Sequence, residues 1–191
     1  MLRSSVSPGQ PQAINAKFLN RIKKDLEELK LSPLQNITVN VLDDNLTTLE
    51  AVMNGEKRTV YEGGIFKLSI NLPPQYPSKA PLIHFETAIY HCNVSSTGYI
   101  CLDKLHKDWQ PLCTLSQILL AIYDMMHDCN PATAVNPIIA DLYLYSRDVH
   151  DKYARKWTKL YAGEKSKALQ LSVLCRSDLG GKLYDRCICK F

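Results

Sequence analysis

Between His91 and Asp103 the chain gathers the side chains that do covalent or metal chemistry: the run reads Tyr90-His91-Cys92-Asn93-Val94-Ser95-Ser96-Thr97-Gly98-Tyr99-Ile100-Cys101-Leu102-Asp103. Three chemistries compete for it. A zinc site would draw on Cys92, Cys101 and His91, since thiolate and imidazole are usual zinc ligands. The two cysteines are too far apart for a Cys-x2-Cys knuckle, however, and no metal is expected. A papain-like hydrolase would pair a thiol with a histidine base held by a third group. His106, His127 and His150 are available, none in a distinctive local context. The third reading is structural, with Cys92 and Cys101 as small buried apolar side chains, and residue chemistry alone favours it.

The elements that must hold this run are legible as periodicity. Ile14, Phe18, Ile22, Leu26 and Leu29 recur at helical spacing between Arg21, Lys23, Lys24, Asp25 and Glu28, which predicts an amphipathic helix over Ala13 to Lys30. Ile37, Val39 and Val41, then Leu49, Ala51 and Met53, then Phe66, Leu68 and Ile70 repeat with period two and predict three strands. A fourth, Leu82 to Glu86, follows a segment holding Pro73, Pro74, Pro77 and Pro81, which cannot itself join a ladder. Residues 87–113 show no clear period, and a loop of that length inside a compact domain is usually functional. Thr114 or Ser116 can cap a helix through Ile118, Leu119, Ile122 and Met126 that Asn130-Pro131 stops. Two more helices are expected, Pro137 to Tyr145 and Arg147 to Tyr161. The fold class is therefore α+β: an N-terminal helix, a four-stranded antiparallel meander, a long loop and three C-terminal helices.

A chain of 191 residues with 46% apolar residues can bury one sizeable core without disulfide staples. Its best apolar stretch, Ile118 to Met126, is too short for a membrane span and contains Asp124. Residues 1–12, with Ser4, Ser5, Ser7, Pro8, Gly9 and Pro11, read as a flexible extension, 13–162 as the folded domain, and 163–191 as a C-terminal extension of unassigned role. The positive charge sits at the two ends, each of which has six Lys/Arg against three Asp/Glu (residues 1–30 and 163–191), which leaves −2 of the net +4 for residues 31–162. Neither end interleaves aromatics with its cations, so nucleic acid is not an expected partner. Arg3 is followed by no apolar core of secretory length, and neither Leu2 nor the last four residues suit lipid attachment. The seven cysteines are thus expected in a reducing compartment, cytoplasm or nucleus.

The chemistry-bearing run resembles the active-site region of ubiquitin-conjugating enzymes, whose hallmark is His-Pro-Asn followed some eight residues later by Gly-x-x-Cys-Leu. Here the two pieces are His91-Cys92-Asn93 and Gly98-Tyr99-Ile100-Cys101-Leu102. Cys at the middle of the tripeptide, together with Asp128-Cys129-Asn130-Pro131 and a Ser-rich N-terminal extension, is similar to one subgroup of the family. Tyr61-Glu62-Gly63-Gly64, Tyr76-Pro77 with Pro81, Trp109-x-Pro111 and Ala154-Arg155-Lys156-Trp157-Thr158-Lys159 resemble the family in order and spacing, over residues 17–162. The resemblance implies the ubiquitin-conjugating (UBC) fold.

It also implies a reaction. Ubiquitin would arrive from the activating enzyme, which consumes ATP upstream, sit as a thioester on Cys101, and pass to a substrate lysine, with no cofactor bound to the chain. By the same resemblance Asn93 is expected to support the loop or the oxyanion, Asp103 to shape the environment of the lysine, and Cys92 to be a packing residue. Thr133 occupies a cleft position where relatives place an acid or a serine, which implies weaker intrinsic lysine reactivity. Arg21, Lys24, Ser78, Trp109, Pro111 and Leu112 match positions of the ligase-docking surface. Ser78 replaces the large aromatic of members serving HECT ligases, so a RING-type ligase is the expected partner. Two alternatives remain: a conjugating enzyme for a ubiquitin-like modifier, NEDD8 or SUMO, and a weakly active or inactive variant acting as a binding scaffold.

Overall fold

The computed structural model describes residues 16–163, so the two expected extensions lie almost wholly outside the described residues. Helix α1 (Ala16–Leu31) buries Phe18, Ile22 and Asp25. Strands β1 (Ile37–Val41), β2 (Thr48–Asn54), β3 (Ile65–Asn71) and β4 (Leu82–Phe85) form one antiparallel sheet in the order β1-β2-β3-β4, the expected meander. Helices α2 (Leu115–His127), α3 (Pro137–Tyr145) and α4 (Arg147–Trp157) follow.

Period two translates directly into the core. Leu49, Ala51 and Met53 of β2 and Phe66, Leu68 and Ile70 of β3 are fully buried, in registers that set Ala51 opposite Leu68 and Leu49 opposite Ile70. Their in-between neighbours face outward, where Glu50 and Lys67 meet at 2.9 Å. Strand β1 departs from the alternation: Val39 is only half-buried and Val41 is exposed, because β1 is the sheet edge and has one paired neighbour. On the inner face, Ile118, Leu119, Ile122 and Met126 of α2 join Phe18 and Ile22 of α1 over the sheet.

Helix α2 starts at a reciprocal capping box: Thr114 accepts from the Gln117 amide while the Gln117 side chain accepts from the Thr114 amide. Asn136 caps α3, with Pro137 at its first position. The last expected helix divides in two. After Trp157 the backbone widens into a π turn, Thr158–Ala162, where the Thr158 hydroxyl lies within donating distance of the Ala154 and Val60 carbonyls. A second, smaller core of Tyr90, Cys92, Cys129, Ile139, Ala140 and Ala154 packs α3 and α4 against the loop after β4. No helix among the described residues is long and apolar enough to cross a membrane.

Candidate active site

The aperiodic segment after β4 is tied down residue by residue. Val94 bridges Ile100 and His84 bridges Tyr99, both antiparallel, so residues 94–100 turn back on themselves beside the sheet. The turn is closed by the Ser95 hydroxyl, which accepts from the Thr97 and Tyr99 amides, and by Gly98, whose amide donates to the Ser95 carbonyl. Gly98 has φ +79°, and a Cβ there would lie 1.9 Å from the Phe85 carbonyl oxygen. That contact exists because the Phe85 amide donates to Gly98 O at 2.9 Å, pinning the turn to β4. Glycine at this position is a condition for Cys101 to emerge where it does.

Cys101 follows the Ile100 bridge with a free, partly exposed thiol, and its amide donates to the Asn93 carbonyl at 2.9 Å. The backbone thus places Asn93 and Cys101 side by side. The Asn93 side chain itself is 1% exposed and turned away into the protein. Its Nδ2 donates to the Asn130 carbonyl at 2.8 Å and has the Thr133 carbonyl and hydroxyl at 3.2 and 3.3 Å, while its Oδ1 accepts from the Asn130 amide at 2.9 Å. Both halves of the amide therefore bond to the turn at 130–133. Thr133, half-buried in that 3-10 turn, meets Asn93 through its hydroxyl and carbonyl both.

Asp103 opens a 3-10 turn two residues after the thiol and is ion-paired with Lys107 at 3.1 Å, the two side chains 46% and 68% exposed. The pair is solvent-screened. The Asp103 carboxylate, hydrogen-bonded to it, holds the Lys107 ammonium above its usual pKa. No feature of the sequence singled out Lys107, whose partner is visible only as an i,i+4 spacing.

Four of the five histidines are hydrogen-bonded to groups other than Cys101, and the fifth, His84, sets its ring against Tyr99 with centroids 6.5 Å apart. His91 accepts the Asn93 amide on Nδ1, and burial holds its pKa down at about 4, so it is neutral at neutral pH. His106 Nε2 faces the Ile100 carbonyl and the Tyr99 hydroxyl, with its ring stacked on Tyr99. His127 bonds the Tyr123 carbonyl, and His150 bonds Asp151. A hydrolase base for Cys101 is not assembled from them.

Cys92, expected only as a packing residue, is fully buried and also joined to Cys129 as a disulfide across a sequence separation of 37. The sequence marked both cysteines but not their proximity, and with Cys92 so engaged it is no partner to Cys101 in a metal site.

The expected docking residues lie on α1 and on two loops that are tied together around a buried carboxylate. Asp25 of α1, 2% exposed, receives the Arg21 guanidinium, both of its oxygens 3.0 Å from Nε, and the Tyr76 hydroxyl. Burial pushes the Asp25 pKa up, and the Tyr76 hydroxyl and Arg21 charge oppose the shift. Arg21 also donates to the carbonyls of Pro111 and Cys113, so its fork is spent inside the chain, fastening α1 to the loop before α2. Trp109 is half-buried and donates to the Pro77 carbonyl at 2.8 Å. Lys24, Ser78 and Pro111 are exposed beside them, and Leu112 is 86% exposed.

Replacing Gly98 by alanine should cost about 3 kcal/mol, combining a disfavoured positive φ with a clash against backbone. Gly63→Ala, where φ is +75° but nothing lies within 4 Å, should cost only about 1 kcal/mol. Urea unfolding of the two variants checks the difference.

The geometry, an accessible thiol on a braced loop behind a four-stranded meander with flanking helices, is that of the UBC fold. The family model for ubiquitin-conjugating enzyme matches residues 21–158, and the chain belongs to the ubiquitin-conjugating enzyme family.

Proposed function

We propose that this chain accepts ubiquitin from the activating enzyme as a thioester on Cys101 and passes it to substrate lysines with a RING-type ligase, in the cytoplasm or nucleus. The observation that carries the reading is the partly exposed, free Cys101 thiol on a loop whose own histidines, His91 and His106, bond to other groups. A thiol without an adjacent base suits a carrier: it takes the acyl group by exchange, and the thioester then awaits an amine rather than water. In the transfer step the lysine nitrogen attacks the thioester carbonyl, the carbon–sulfur bond breaks, and the thiolate of Cys101 is regenerated. The amine must first lose a proton, against a reference pKa near 10.4. ATP is consumed upstream, in making the activating enzyme's own thioester.

The buried amide of Asn93 supports a loop-holding role. Its two hydrogens already have acceptors at 130–133, so service to an oxyanion would need it to let go of them. Asp103 is the carboxylate nearest in sequence to the thiol, and its charge is shared with Lys107. Thr133 brings a hydroxyl where relatives place an acid or a serine, and its contact with Asn93 ties it to the loop that carries Cys101. The gathering of Ser78, Trp109, Pro111 and Leu112 near Arg21 supports ligase docking there. Arg21 acts by shaping the loop, which leaves Lys24, of the two expected cations, exposed to a partner.

Incubating the protein with ATP, ubiquitin-activating enzyme and ubiquitin should yield, on a non-reducing gel, a band heavier by one ubiquitin that disappears with thiol and in Cys101→Ala. Loading only with NEDD8 or SUMO, each supplied with its own activating enzyme, would select the modifier alternative, and no loading with any of them the scaffold. Once loaded, Thr133→Asp should discharge to free lysine about 5-fold faster than the parent, as expected for about 1 kcal/mol of added charge stabilisation. Single-turnover discharge measures it, and an unchanged rate would remove Thr133 from the account of lysine reactivity.

A further inference from the structure

We propose that Cys92 and Cys129 are a reversible thiol–disulfide couple whose closure positions Asn93, so that the redox state of this buried pair sets the rate at which Cys101 hands on its modifier. The proposal rests on the thioester reading above for its consequence, and on the geometry for the couple itself. The two Cα atoms lie 6.3 Å apart, inside the range a disulfide spans. Cys92 immediately precedes Asn93 and Cys129 immediately precedes Asn130, the residues joined by the reciprocal amide bonds of 2.8 and 2.9 Å. The covalent link thus runs one residue away from the hydrogen-bonded link, between the same two segments. The Cys92 carbonyl also accepts from the Val135 and Asn136 amides at 2.9 and 3.0 Å, so the whole stretch from 129 to 136 is hung on Cys92. Closing the ring removes freedom from both flanks of Asn93 at once.

A route to the pair exists. Cys129 borders an open cavity of about 200 Å³ whose walls include Arg58, Arg147, Arg155, His127 and His150. Asp151, paired with Arg147 at 2.9 Å and with Arg155 at 3.7 Å, is the acidic residue on that wall, leaving an excess of cation that favours an anionic thiol or disulfide. The oxidant required is a low-molecular-weight disulfide such as oxidised glutathione. The Cys129 thiolate attacks one of its sulfurs and expels one glutathione thiolate. The Cys92 thiolate then attacks the Cys129 sulfur of the mixed disulfide and expels the second. Two protein thiols lose their protons and two electrons pass to the glutathione disulfide, leaving one protein disulfide and two glutathione thiols; reduction runs the same steps backward. Cys101, on the outer loop, takes no part in the couple.

The full chain, equilibrated across reduced-to-oxidised glutathione ratios, is quenched by alkylation, and the 92–129 linkage is followed by mass. Both forms, cleared of small thiols, with the open form prepared by phosphine, are then loaded at Cys101 and discharged to free lysine in a single turnover. The closed form should discharge about 3-fold faster through better preorganisation of the loop. Loading should be equal, and the difference should vanish in Cys129→Ser and Cys92→Ser. A pair that stays open at every ratio, equal discharge from the two forms, or a difference that survives in Cys129→Ser would overturn the proposal. Should the variants fail to fold, the comparison of the two wild-type forms decides alone. Failure of both forms to load would defeat the thioester reading instead. The couple would then be judged on its linkage and on hydrogen exchange of the Val135 and Asn136 amides, which must be slower in the closed form.

Discussion

Everything at the candidate site hangs on one buried side-chain amide. Asn93 uses its carbonyl oxygen and its amide hydrogens to bond to the turn at 130–133, and its own backbone carbonyl to hold the amide of Cys101. A buried primary amide left unpaired would cost a few kcal/mol, so the loop and the turn are each held where the other can satisfy Asn93. The consequence is geometric: the thiol stands on a segment braced on one side by the sheet, through Gly98 and Phe85, and on the other by the second core, through Asn93. His91 adds to this bracing by taking the Asn93 amide, and its burial keeps it uncharged and so able to accept.

The contacts around Asp25 follow a similar rule with a charge in place of an amide. Asp25, buried in the first helix, is tolerable because Arg21 and Tyr76 reach it, and those two residues bring with them the loop after β3 and the loop before α2. The exposed residues of these loops, Ser78, Pro111 and Leu112, are brought together by that buried contact and by the Trp109 bond to the Pro77 carbonyl. Side chains that look like docking groups on a helical wheel can therefore serve a partner indirectly, by fixing the loops that touch it.

Much of this was legible in the sequence, for physical reasons that also mark the limits. Strands β2 and β3 showed themselves because one face of each is wholly buried, whereas β1 read as regular as they do but buries only Ile37 fully at the sheet edge. The loop from 87 to 113 carries no period because isolated bridges and side-chain bonds to backbone order it, and such bonds leave no repeating pattern. Resemblance, not periodicity, pointed to Cys101 and Asn93 there, and to Thr133 in the turn after α2. The Cys92–Cys129 pairing, the Arg21 contacts some 90 residues along the chain and the Asp103–Lys107 pair depend on proximity in space, on which composition and spacing are silent. The two cysteines could have been suspected as a pair only from their parallel placement, each one residue before an asparagine.

The central claim is that Asn93 is a clamp whose amide stays bonded to the protein while the modifier sits on Cys101. Its most direct test is the nuclear magnetic resonance signal of the Asn93 side-chain amide, compared between the free chain and a stable oxyester of ubiquitin on Cys101→Ser. The account predicts hydrogens that exchange slowly in both states, with shifts little changed by loading. Rapid exchange in the free chain, or a large shift on loading as the hydrogens turn to the bound carbonyl, would contradict it.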